Sequence, residues 1–102
     1  MSGNVLKASI QKLTKVADAI AESQRPGGAL LTATDRGGLA LAMASAGLTV
    51  KGLGPTQSRL GVLIHADAKH LLDGGARLDQ VVNHLEDGIS ALRGRLRHTP
   101  VD

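Results

Sequence analysis

Apolar and small residues recur along the second half of the chain at Ile64, Ala68, Leu71, Gly75, Leu78, Val82, Leu85, Ile89, Leu92 and Leu96. The steps alternate between four and three, which is the stripe of an α-helix that packs in coiled-coil fashion. A half-buried strand would alternate with period two, and no stretch of this sequence does so. The chain is therefore expected to be all-α. The phase runs unbroken through Asp73-Gly74-Gly75. Residues 55–97 then read either as one long helix or as two helices meeting at a glycine kink in nearly the same phase. A single helix of about 43 residues would extend for about 64 Å.

The first half repeats the pattern in shorter pieces. Leu6, Ile10, Leu13, Ala17 and Ile20 form a helical seam, with Asn4 as a candidate N-cap. Arg25-Pro26-Gly27-Gly28 ends it, because proline disfavours helical dihedrals in the residue before it. Thr34 followed by Asp35 reads as the start of a second helix, whose seam is Leu39, Met43, Ala46 and Val50. Gly52-Leu53-Gly54-Pro55 is a turn: Gly52 suits a helix end, and Pro55 suits the first position of the next helix.

One domain over 1–102 follows, an antiparallel helical hairpin or small helical bundle with a long C-terminal helix. Arm one covers about 4–50 and is broken at 26–28; a turn occupies 52–55; arm two covers about 55–97. Leu41, Leu48, Leu63, Leu72 and Val81 lie off the strict seam and widen the apolar face beyond what two helices bury. That surplus calls for another layer: a dimer, a different partner, or the first arm folding back into a bundle.

Composition narrows the chemistry. The 102 residues contain no Cys, Phe, Trp or Tyr. Thiolate metal sites, disulfides and cysteine nucleophiles are excluded, as are aromatic platforms for stacked bases. Twelve Lys and Arg against nine Asp and Glu leave a net charge of only +3. Lys7, Lys12 and Lys15 interrupt the N-terminal apolar pattern, so no signal peptide is expected. The longest uncharged run, 37–50, is too short for a membrane span.

No catalytic motif stands out. His65, His70, His84 and His98 include no pair four residues apart, the spacing by which one helix face holds zinc. Glu86 and Asp87 are adjacent and point to different sides of a helix. Neither a glycine-rich phosphate loop nor a nucleophile elbow is present. No enzyme activity, cofactor or metal is expected. Arg93, Arg95 and Arg97 form a basic cluster that suits a helix C-terminus electrostatically and could also meet an anion. Gln57, Ser58 and Arg59 after the central turn loosely suggest a DNA-reading helix, but the helix that follows is too long and too seam-like for that motif.

The plan of about one hundred residues, no Cys, a central turn and two helical arms resembles the small WXG100 (ESAT-6-like) proteins exported by type VII systems. The central turn carries Gly52-Leu53-Gly54-Pro55 in place of the Trp-x-Gly of that family, and without Tyr there is no Tyr-x-x-x-Asp/Glu signal. No residue role carries over. The leading expectation is a non-enzymatic helical interaction protein, a homo-oligomer or the subunit of a larger complex. Its packing surface would be Ile64, Leu71, Gly75, Leu78, Val82, Leu85, Ile89, Leu92 and Leu96. The alternative is a basic helical nucleic-acid-binding protein, and the second alternative a small exported protein on the WXG100 plan. The compartment is cytoplasmic by default, with signal-peptide-independent export as the other route; membrane insertion is not expected.

Overall fold

The computed structural model describes residues 3–73 and 77–98, and these form four α-helices with no strand among them. They are α1 (Gly3–Gln24), α2 (Ala33–Lys51), α3 (Pro55–Asp73) and α4 (Leu78–Leu96). Each helix packs on the next, and α4 packs on α1 to close the ring, whereas the α1 and α3 backbones stay further apart across the diagonal. Short links make successive helices antiparallel. The result is an up-down-up-down bundle measuring 42 × 22 × 20 Å.

Local chemistry sets the helix ends. Thr32 caps α2 through a reciprocal pair: its Oγ1 accepts from the Asp35 amide at 3.0 Å, and its own amide donates to Asp35 Oδ2 at 3.1 Å. The start expected at Thr34 therefore lies two residues earlier. A capping box needs its acid three residues after the hydroxyl, and Asp35 stands at that distance from Thr32 alone. Asn4 is likewise not a cap, since α1 already includes Gly3. At the other end of α2 the Gly52 amide donates to the carbonyls of Leu48 and Thr49. Gly54 then takes φ +144°, a conformation open to glycine, and Pro55 begins α3.

Arm two is two helices of 19 residues each, and α4 folds back along α3. It is neither a 43-residue rod nor a kinked one. The unbroken four-three phase across 74–75 needs no helical continuity. Each helix turns its own stripe inward, and Leu71 and Leu78 bracket the reversal one heptad apart.

Gathered on the bundle axis, the interior is wholly aliphatic. Leu6, Leu13, Ile20, Met43, Ile64, Leu71, Leu85 and Leu92 are fully buried. Each contributes about 1.5–3 kcal/mol of burial free energy before the cost of ordering the chain. Small residues set the closest seam. Gly47 of α2 and Gly61 of α3 let the two backbones meet: a Cβ placed on Gly61 would lie 2.6 Å from Lys51 Cα and 2.7 Å from the Gly47 carbonyl oxygen.

Candidate functional site

The stripe expected to pack against the first arm and a partner is buried within the chain. Ile64, Leu71, Leu85 and Leu92 are fully buried, and Ile89 nearly so. Leu78, Val82 and Leu96 are half-buried against the same core. Gly75 lies outside the described residues. α1 and α2 supply the layer that covers these side chains, so no second molecule is needed to keep them from water.

The off-seam residues divide. Val81 is buried, because α4 is wedged between α1 and α3 and turns a broad face inward. Leu41, Leu48, Leu63 and Leu72 stay exposed. Leu41 and Leu48 sit seven residues apart, two turns along one face of α2, and are 73% and 60% exposed. Half-buried Ala44 lies between them. Across the tight α2–α3 seam, Val62 of α3 is 51% exposed and shares a groove with Leu48, Gly61 and Ala66, which Lys51 and His65 border with polar groups. The antiparallel register places Leu72, 55% exposed, toward the Leu41 end of the same face. A bundle whose core is already closed thus carries an apolar strip along the outside of its closest-packed pair.

No protein-family model, no curated protein and no solved structure matches the chain.

One polar pair crosses the interior. His84 Nδ1 of α4 lies 2.6 Å from Asp67 Oδ2 of α3. Asp67 is only 7% exposed, in the middle of the inward face made by Ile64, Ala68 and Leu71. Its carboxylate has no other hydrogen bond among the described residues, so the pair pins α3 to α4 at a fixed register. No nucleophilic Ser or Thr shares the groove around it, which Leu63, His70, Arg77 and Gln80 help to line. The sequence reading missed this pair. The partners stand 17 residues apart, and the only signal was an acid at an inward position of the α3 stripe.

The C-terminal arginines are exposed in the last turns of α4 and just beyond it. Arg93 and Arg97 line a cleft that also contains Asp18 and Glu86, which offset their field. Arg95 has a partner of its own. Among the described residues no group of three or more His, Asp or Glu could hold a metal ion, and no helix is long and apolar enough to cross a membrane.

Proposed function

We propose that this chain is a non-enzymatic helical interaction protein that associates through the outer face of α2 and α3, with a second copy of itself as the partner. The observation that carries the reading is the strip Leu41–Ala44–Leu48, backed by Val62, left exposed on a bundle whose core is complete. The strip is close to symmetric about Ala44: a small residue at its centre and a leucine at each end. A two-fold axis through that centre sets Leu41 of one copy against Leu48 of the other, twice over, with the alanines letting the helices approach. Such a self-complementary patch suits an isologous dimer, the commonest closed assembly. The net charge of +3 opposes pairing only weakly at physiological salt.

The test is molar mass by sedimentation equilibrium over a range of concentrations at two salt levels. The wild-type chain is expected to dimerise, with little change as salt rises. Leu41→Glu/Leu48→Glu is expected to stay monomeric with unchanged helicity, because both side chains already face water. A wild-type chain that is monomeric at every concentration would refute the reading. Salt-sensitive binding to duplex DNA in place of self-association would favour the basic nucleic-acid alternative.

A further inference from the structure

We infer that the association face on α2 and α3 is switched by pH through His65, so that self-pairing weakens when its imidazole takes a proton. The inference rests on the dimer reading above and names what regulates that face. The placement of His65 carries it. A Cβ placed on Gly47 would lie 3.2 Å from the His65 amide nitrogen, so His65 stands level with the stretch of α2 between Ala44 and Leu48, the middle of the strip. Its side chain is exposed and lines the groove that Leu48, Gly61, Val62 and Ala66 share along the seam. A second copy seated on Leu41 and Leu48, with the two-fold axis at Ala44, brings its own α2 over the ring.

The charges around the ring have one sign. From α2, Lys51 borders the same groove, and no acid lines it. On α3 itself, exposed Lys69 stands one turn further along. The acids are placed elsewhere. Asp67 is turned to the interior, where it meets His84 of α4 on the other side of α3. Asp35 sits in the first turn of α2, at the far end of that helix, and accepts from the Thr32 amide. Helix α1 lies across the diagonal from α3. A second copy adds the same cations again.

Proton binding therefore favours the free chain. In the monomer a charged ring is hydrated; in the dimer it is withdrawn from water among other cations, with no carboxylate to meet it. Lys51 and Lys69 can extend their long stems past the rim of the contact, whereas an imidazole on a single methylene cannot. Imidazole changes charge between about pH 5 and 8. The dimer holds fewer protons than two monomers do, so association is strong above that range and weakens as pH falls through it. Each copy contributes one ring, so the effect on the dissociation constant enters twice.

Sedimentation equilibrium of the full chain at about pH 8 and about pH 5.5, at one salt level and with helicity followed by circular dichroism, tests the switch. The wild-type dissociation constant is expected to rise at least tenfold at the lower pH. His65→Gln, at an exposed position and so neutral for folding, is expected to dimerise like the wild type at the higher pH and to keep that affinity at the lower. His70→Gln, whose ring lines the α3–α4 groove instead, should keep the wild-type response. A wild-type dimer of equal affinity at both pH values, or a His65→Gln chain that still weakens, would overturn the switch and leave the dimer standing. A wild-type chain monomeric at both would overturn the dimer reading and the switch with it.

Discussion

Gly61→Ala puts the closest contact of the bundle to the test. The new methyl carbon would sit 2.6 Å from Lys51 Cα and 2.7 Å from the Gly47 carbonyl oxygen, with the Lys51 amide nitrogen nearer still. All three are backbone atoms of α2 or its last turn, so no side chain can swing aside. Ordinary carbon contacts lie near 3.5–4.0 Å. Helix α2 must therefore retreat by about 1 Å along this stretch, loosening the seam that holds Val50 and Ile64 out of water. Overpacking of this kind costs about 1–3 kcal/mol, and because only backbone can yield here the upper part of that range, about 2–3 kcal/mol, applies. Replacing a helical glycine by alanine returns at most about 1 kcal/mol of helix propensity. The expected net is a loss of about 1–2 kcal/mol, or about 4–16 °C in Tm for a domain of this size. Urea unfolding followed by circular dichroism reads it as a lower midpoint at unchanged slope. Gly88→Ala is the control, because its nearest obstacle is the movable Cδ1 of Ile64. A Gly61→Ala chain as stable as the wild type would refute the close α2–α3 crossing.

Other substitutions probe separate parts of the bundle. Gly37→Ala and Gly38→Ala meet open space on α2 and should each stabilise by about 0.5–1 kcal/mol in the same urea assay; a loss would mean that α2 does not extend through them. His84→Ala strips Asp67 of its partner in a buried position and should cost about 1–3 kcal/mol, and adding Asp67→Ala should recover part of it; two fully additive losses would deny the pair. Leu85→Asp buries an unpaired charge at a fully enclosed site and should abolish the helical signal at 25 °C; wild-type helicity would place Leu85 on the wrong face.

Helix class was legible because the four-three spacing is a local property, and each of the four helices carries it on its own. Leu6, Leu13 and Ile20, and again Met43, Ala46 and Val50, were identified as inward-facing from spacing alone. The reversal between α3 and α4 was not legible in the same way. Leu71 and Leu78 keep step across the link, so the pattern that exposes a helix hides its end. The division of the off-seam residues also escaped, since Val81 and Leu72 differ only in which neighbouring helix the bundle brings to them. Hydrogen bonding across helices, as between Asp67 and His84, depends wholly on tertiary approach. Periodicity along one segment carries no information about it.

Whether one chain covers its own apolar stripe is open to small-angle X-ray scattering on the Leu41→Glu/Leu48→Glu chain, where self-association does not confuse the shape. A closed four-helix bundle gives a radius of gyration close to the 13.4 Å of its Cα trace, slightly enlarged by side chains and hydration. An arm formed by one continuous helix over 55–97 would instead give a particle about 64 Å long or more, and that profile would contradict the fold on which the association surface rests.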